Sequence, residues 1–161
     1  MSLDVLSNKG RKAVEESRVG LALVGRRFVE TRQDREGDID GFFLSANGEE
    51  LAAAFEAKAR NMTLDQLRNS YGNEWLVTFE KISKGSVIAK SLCVPFFGVV
   101  YLVPDKTTLL VKLTDDHGNI VAPCRLEVTD TQATCNGGHA RRTNAYVSMA
   151  NAHVYRSAAL V

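Results

Sequence analysis

Hydrophobic and polar positions in the first sixty residues predict a helix followed by strands. From Lys9 to about Val24 the apolar residues recur at mostly helical spacing, with charged residues between them. The segment "RRFVETR" (26–32) is typical of a short strand. The segments "DIDGFFLS" (38–45) and "ELAAAFEAKA" (50–59) are extended runs separated by "ANGE", and Asn-Gly is a strong hairpin signal. We therefore expect a helix, a short strand and an antiparallel hairpin.

The middle of the chain predicts one long helix and then two strands. Thr63 and Gln66 form a capping box, and apolar residues follow at helical spacing up to Ile82, so we expect a single helix over 64–82. Gly85-Ser86 is expected to end it, and "VIAKSLCV" (87–94) is expected to form a second helical piece. The segments "FFGVVYLV" (96–103) and "TTLLVKLT" (107–114) are β-rich, and the first is apolar enough for a central strand.

The elements together predict an α/β fold with a mixed central sheet flanked by helices. Residues 115–161 show partial alternation, which predicts one or two extra strands, or a strand and a short helix. The length of 161 residues is that of one domain, here 1–161, with a core at about 9–114 and a C-terminal extension at 115–161.

Composition and charge exclude some classes of protein. The chain is 45% hydrophobic and 24% charged, as ordinary globular proteins are, and its formal net charge is only +1. This near-neutral total excludes a strong global field for a polyanion but leaves room for a local basic patch. No signal-peptide-like start and no run of about eighteen apolar residues occurs, so we expect a cytoplasmic protein with no membrane partner. The three cysteines lack zinc-site spacing and are expected to be free thiols: Cys93, Cys124 and Cys135.

Two acids before one strand and a Glu-x-Lys near the end of the next are the candidate chemistry. Asp38 and Asp40 share one face by alternation, as do Glu56 and Lys58. A two-residue turn would separate the acids, whereas a three-residue loop over 47–49 sets Asp40 opposite Glu56 and Asp38 opposite Lys58. Cross-strand Cβ atoms are about 4.5–5.5 Å apart, so the two carboxylates would repel each other unless a cation lay between them.

A hard divalent cation with oxygen ligands is the simplest way to hold two such carboxylates together. A bound Mg²⁺ can accept phosphate oxygens and can lower the pKa of a bound water. Lys58, beside the acids, can orient or deprotonate the attacking water or stabilise charge on phosphorus. These residues therefore predict phosphodiester hydrolysis.

The motif Asp40 followed by Glu56-Ala57-Lys58, in the order helix, three strands, helix, strand, resembles the PD-(D/E)XK nuclease superfamily. The resemblance covers about residues 9–103 and implies a restriction-endonuclease-like core, similar to that of Holliday-junction resolvases. The proline that often precedes the aspartate is replaced by Ile39. The resemblance implies a DNA endonuclease that uses Mg²⁺ or Mn²⁺ and has no organic cofactor, and a structure-selective, junction-resolvase-like enzyme is the preferred subtype.

The resemblance also implies roles for individual residues. It assigns metal ligation to Asp40, Glu56, the carbonyl of Ala57 and an acid of the first helix, Glu15 or Glu16, of which Glu16 is preferred. It assigns catalysis to Asp40, Glu56, Lys58 and Gln66, although the capping box alone would explain Gln66.

Basic residues around this motif are candidates for contact with DNA phosphates. The glycine-flanked segment "GGHARR" (137–142) can approach phosphates through Arg141, Arg142 and backbone N–H groups. Arg60 and Arg68 flank the motif. Further cations expected around the site are Arg11, Lys12, Arg26, Arg27, Arg32 and Arg35, together with His139 beside the arginines.

Other interpretations of these residues stay open. The partners expected are DNA and a second copy of the chain, because a domain this small presents a narrow face to DNA. One alternative is a catalytically silent nucleic-acid-binding module of the same fold, and another is a structural or interaction protein. The "DDHGN" segment (115–119) is expected to be a turn rather than a metal site.

Overall fold

The computed structural model describes residues 8–31, 38–130 and 141–156. Within these ranges the chain forms three helices, α1 (Asn8–Val24), α2 (Leu64–Asn69) and α3 (Phe79–Ser91). The same ranges contain nine strands: β1 (Phe28–Glu30), β2 (Gly41–Leu44), β3 (Leu51–Arg60), β4 (Glu74–Thr78), β5 (Phe96–Leu102), β6 (Thr107–Thr114), β7 (Cys124–Asp130), β8 (Arg141–Ser148) and β9 (His153–Arg156). Arg32, Arg35, Cys135 and His139 lie outside the described residues.

The strands form two sheets. The central sheet has six strands in the order β1-β2-β3-β5-β6-β9, and the second has three in the order β4-β8-β7. β3 and β5 run parallel, while the other neighbours in the central sheet are antiparallel. The predicted α/β fold with a mixed central sheet is therefore confirmed. The central position predicted for "FFGVVYLV" is also confirmed, because β5 lies between β3 and β6.

The central sheet separates two hydrophobic cores. On one face Leu21 and Val24 of α1 pack with Phe43, Phe55 and Val99. On the other face α3 and the second sheet pack against the alternate residues of the same strands. Members of this second core are Ala54, Trp75, Ile82, Phe96, Val100, Leu109 and Val147. Successive residues of β3 therefore point into different cores, as strand geometry requires.

The predicted hairpin is present between β2 and β3. Its turn is closed by Asn47, whose Oδ1 accepts hydrogen bonds from Ser45 Oγ at 2.6 Å and from Glu49 N at 3.0 Å. Gly48 has a φ of +75°, a left-handed conformation that a residue with a side chain adopts only with strain. Gly41 pairs with Phe55 in the strands, which is the register predicted for a three-residue loop, and an irregularity next to the turn accommodates it.

The single long helix predicted over 64–82 is wrong. α2 ends at Asn69, and Gly72 and Asn73 both have positive φ, which a right-handed helix cannot contain. The next five residues form β4, in which Trp75 and Val77 are buried while Leu76 points outward. A short helix, a turn and a strand can also place an apolar residue at every third or fourth position, so this spacing did not distinguish them from one long helix. Tyr71, which lies at this spacing, is 57% exposed.

The helix break predicted at Gly85-Ser86 is also wrong. Gly85 is buried inside α3, and a Cβ atom built there would lie 2.3 Å from Cζ of Phe96. The glycine is therefore a contact point between helix and sheet rather than a break. α3 continues through most of the predicted second helical piece and ends at Ser91, shortly before Cys93, which has a φ of +57°.

The C-terminal region contributes more strands than the sequence predicted. The described residues between 124 and 156 form three strands, where one or two were expected. β8 pairs with β4 in the second sheet, and β9 pairs with β6 in the central sheet, so the extension packs into the fold. Their partners are distant in sequence, which is why alternation alone did not identify them all.

The predicted turn at 115–119 is present. Asp115 accepts hydrogen bonds from the backbone N–H groups of His117 and Asn119, and these bonds lower the pKa of its carboxyl. No helix in the described part of the chain is long and apolar enough to cross a membrane. Cys93 and Cys124 are both free thiols.

We expect Gly85→Ala to destabilise the protein by about 1–3 kcal/mol, because the new methyl group would overpack against Phe96. Urea denaturation measures this change. The double variant with Phe96→Leu, which lacks the far end of the ring, should show a smaller cost for the same glycine substitution. An equal cost in both backgrounds would show that the contact with the ring is not the cause.

Candidate active site

The Glu-x-Lys motif lies in the second half of β3, an interior strand of the central sheet. The Glu56 side chain is 1% exposed, although glutamate is rarely found fully buried. Lys58 Nζ lies 3.1 Å from Glu56 Oε1, and the Lys58 side chain is 37% exposed. The lysine therefore links a buried carboxylate to the protein surface.

Asp40 lies beside Glu56, at the bend before β2. Its backbone N–H donates to Phe55 O at 3.0 Å, and its Oδ2 accepts a hydrogen bond from Ala57 N at 2.8 Å. These two hydrogen bonds of Asp40 thus extend the contact between the two strands of the hairpin by one residue beyond the last paired residue, Gly41. This placement agrees with the register that set Asp40 opposite Glu56.

The carboxylate of Glu56 is poorly satisfied. Lys58 is within ion-pair distance of Oε1, but neither Oε1 nor Oε2 has a hydrogen-bond partner of good geometry. Burial raises the pKa of Glu56, and the nearby charge of Asp40 raises it further. The charges of Lys58 and Lys81 act in the opposite direction. Burial and the charge of Asp40 outweigh the two lysines, so further positive charge would stabilise the ionised carboxylate of Glu56.

A tryptophan on the same face of the sheet adds to this burial. Glu56 pairs with Gly98 of β5, so a side chain at position 98 would point to the same face of the sheet as Glu56. A Cβ atom at Gly98 would lie 2.4 Å from Cζ3 of Trp75, which means that the indole ring occupies the space left by this glycine. Nothing in the sequence indicated that Trp75 covers the strand pair at Glu56.

The backbone of Ala57 faces the same edge of β3 as Asp40. Its N–H is bonded to the Asp40 carboxylate, and in a strand the N–H and C=O of one residue point to the same side. The carbonyl of Ala57 is therefore on the side of Asp40, where the resemblance expects a third oxygen ligand.

Asp38 and Asp40 have different surroundings. Asp38 is exposed, and its Oδ1 lies 3.8 Å from Nζ of Lys84 on α3. The predicted pairing of Asp38 with Lys58 is not seen, because β2 begins only at Gly41. Of the two aspartates, Asp40 is the one whose charge acts on Glu56.

Glu16 and Gln66 were predicted to belong to the site, and their visible contacts lie elsewhere. Glu16 is on α1, which covers the opposite face from Glu56, and it pairs with Lys12 at 3.7 Å. Gln66 Oε1 accepts from Thr63 N at 2.8 Å, and Gln66 N donates to Thr63 Oγ1 at 3.0 Å. The capping role considered for Gln66 is thus observed, and it occupies the amide oxygen.

The four arginines predicted to contact DNA are dispersed. Arg60 donates to Ala59 O at 3.0 Å and to Leu76 O at 3.4 Å, and burial lowers the pKa of its guanidinium. Arg68 is exposed in the last turn of α2. Arg141 and Arg142 are exposed at the start of β8, and Arg141 Nε lies 3.4 Å from Asp130 Oδ1.

Two basic residues that the sequence did not single out lie near the motif. Lys81 is close enough to influence Glu56 electrostatically, and Lys84 pairs with Asp38. Both belong to the start of α3. From the sequence, this segment was predicted to be the end of the long helix and the break that follows it. That prediction was wrong, and no other signal in the sequence connected these lysines to the acids.

In the described ranges, no group of three or more His, Cys, Asp or Glu side chains could hold a metal ion. Asp40 and Glu56 are therefore two carboxylates that would need a backbone oxygen or water to complete a site.

Comparison with protein-family models, curated proteins and solved structures finds no match to this chain. The interpretation of the site rests on its own residues and geometry.

We expect Glu56→Gln to raise the thermal stability of the protein at neutral pH. The folded-state pKa of Glu56 is raised, so the folded protein keeps a proton that the unfolded chain has lost, and wild-type stability falls as pH rises through this interval. Each pKa unit corresponds to about 1.4 kcal/mol, or about 3–6 °C in melting temperature for a chain of this size.

Calorimetry from about pH 4 to pH 8, with EDTA present, measures this effect. The gain in melting temperature should be small near pH 4 and should grow as pH rises. Glu50→Gln, an equivalent change at an exposed residue, is the control and should shift little at any pH. A gain for Glu56→Gln that does not depend on pH would contradict the assignment.

Proposed function

We propose that this protein is a metal-dependent DNA endonuclease with a restriction-endonuclease-like core. The observation that carries the proposal is the buried, unsatisfied Glu56 carboxylate, with Asp40 beside it and Lys58 Nζ at 3.1 Å. A purely structural acid would be expected to make well-formed hydrogen bonds in the fold, because a buried charge without them is costly. An acid with a perturbed pKa beside a cation is typical of catalytic sites.

The donor atoms fit a hard divalent cation. Neither oxygen of Glu56 makes a hydrogen bond of good geometry, although Lys58 Nζ lies 3.1 Å from Oε1, and the Ala57 carbonyl is on the side of Asp40. Asp40, Glu56 and this carbonyl would hold Mg²⁺ or Mn²⁺, with waters completing the coordination. When bound, such an ion polarises a phosphate oxygen and lowers the pKa of a water.

The protein's own residues would provide the other parts of catalysis, namely orienting the water, stabilising charge and excluding bulk water. Lys58, partly exposed and next to Glu56, is placed to orient the attacking water and to stabilise negative charge on the phosphate. The indole of Trp75 and the strand β5 keep bulk water from the inner side of Glu56. A low local dielectric strengthens each of these charge interactions.

The order of elements supports the same class of fold. The resemblance implies the order helix, three strands, helix, strand. The chain has this order in α1, the strands β1, β2 and β3, a helix, and then β5, which lies beside β3. The strand β4 and the second sheet are additions to that order. We propose that substrate preference, including any selectivity for branched DNA, depends on these additions and on a homodimer.

A cytoplasmic location belongs to this proposal. The free thiols of Cys93 and Cys124 support it, because reducing compartments keep cysteines in that form.

We expect the wild-type protein to cut DNA with Mg²⁺ or Mn²⁺ and not with EDTA. Lys58→Met should lower kcat by about 10²–10⁴-fold, because it removes the charged group next to the acids and keeps a similar length. Glu56→Gln and Asp40→Asn should abolish cutting. The measurement is cleavage of a panel containing supercoiled plasmid, single-stranded, flap and four-way-junction DNA.

Matched variants separate the site from its surroundings. Glu50→Gln repeats the Glu56 change at an exposed position, and Asp38→Asn repeats the Asp40 change two residues away. Both should retain kcat at saturating DNA. If Asp38→Asn removes cutting and Asp40→Asn does not, the wrong aspartate has been assigned. DNA binding without cutting by folded wild-type protein would favour the silent binding module.

A further inference from the structure

A polar groove lies beside the candidate active site, between the start of α3 and the start of β8. Its cavity has a volume of about 580 Å³. The charged residues that line it are Asp38, Glu80, Lys81, Lys84, Arg141 and Arg142. The residues come from three separate parts of the chain, so only the tertiary fold brings them together.

Positive charge predominates in this groove. It has four cationic side chains and two acidic ones, although the chain as a whole is nearly neutral. Lys84 Nζ lies 2.8 Å from Glu80 Oε1 and 3.8 Å from Asp38 Oδ1, so this one lysine contacts both acids. The hydrogen bond and charge of Lys84 lower the pKa of Glu80, and the charges of Arg142 and Lys81 contribute. An anion in the groove would therefore be stabilised by several cations.

The helix that lines the groove adds to this field. α3 has 13 residues, and its N-terminal residues Thr78, Phe79, Glu80 and Lys81 all line the cavity. Thr78, at the N-cap, makes no capping hydrogen bond with its side chain. The positive end of the helix dipole therefore lies at the same groove as the lysines.

Two residues of the groove link it to the candidate active site. Lys81 lines the groove and its charge also acts on the carboxylate of Glu56. Asp38 forms part of the groove wall and lies two residues before Asp40. A chain of phosphates lying in the groove would consequently lie near the acids of the site.

We propose that this groove binds the phosphodiester backbone of the DNA strand that enters the active site, with Lys81, Lys84 and Arg142 as the phosphate contacts. The nature of the substrate rests on the proposed function. The inference adds Lys81 and Lys84, which replace Arg60 and Arg68 as the main cations of the DNA-binding surface. The contacts are to phosphates, so binding does not depend on base sequence.

The test is DNA binding by a protein that cannot cut. In the Glu56→Gln background, fluorescence anisotropy with labelled single-stranded and duplex oligonucleotides compares Lys81→Ala/Lys84→Ala with its parent over a range of salt concentrations. Each phosphate contact contributes about one unit to the slope of log K against log salt. We expect the slope to fall by about two, and affinity at 0.1 M salt to fall about ten- to a hundred-fold.

Three further variants control for charge and folding. Lys90→Ala/Lys112→Ala removes the same charge from the far end of α3 and from the exposed position of β6, and should leave binding near the parent value. Lys81→Arg/Lys84→Arg keeps the charge and should keep the affinity. Asp38→Asn removes an acid from the groove and should tighten binding, which tests the idea even if the alanine pair does not fold.

The outcomes distinguish the groove from the proposed activity. Weaker binding by the alanine pair, in a protein whose wild type never cuts, would support the groove and reject the endonuclease. Cutting by the wild type, with binding unchanged by the alanine pair and by Asp38→Asn, would support the endonuclease and reject the groove. Equal losses in the groove pair and in Lys90→Ala/Lys112→Ala would also reject it, because net charge alone would then explain the binding.

Discussion

The buried carboxylate of Glu56 is the constraint on which the site depends. An ionised group on an interior strand is expensive unless positive charge approaches it, and in this fold that charge comes from Lys58 on the same strand and from Lys81 on α3. Asp40 adds a second negative charge rather than a compensating donor. This arrangement of buried charges lowers the stability of the fold, and this cost is the physical reason for our proposal that the site binds a cation.

Small residues make this arrangement possible. β3 is rich in alanine around Glu56, and the neighbouring strand has Gly98 opposite it, so the indole of Trp75 can lie close to the sheet. Gly85 allows α3 to approach Phe96 in a similar way. Because α3 lies this close, its first turn brings Lys81 toward the acids and Lys84 toward Asp38. Close packing of helix and sheet and the electrostatics of the site are therefore linked.

Local signals predicted the parts of the fold that depend on local interactions. The helix α1, the hairpin with its register, the capping box at Thr63 and the strands β5 and β6 were all identified from the sequence. The same reasoning failed between residues 70 and 91. There a stripe of apolar residues was read as one helix, whereas Gly72 and Asn73 turn the chain and Trp75 enters a strand. Positive φ at these two residues, not the apolar spacing, decided the structure.

By itself the sequence determined that Asp40, Glu56 and Lys58 lie near one another, because strand alternation and a hairpin register relate residues that are close along the chain. Only the tertiary structure decided that Glu56 is buried, that Glu16 lies on a helix over the opposite face, and that lysines of α3 join arginines of β8 around one groove. Those relations arise from packing between elements far apart in sequence, and side-chain burial and charge proximity across such contacts have no local signature.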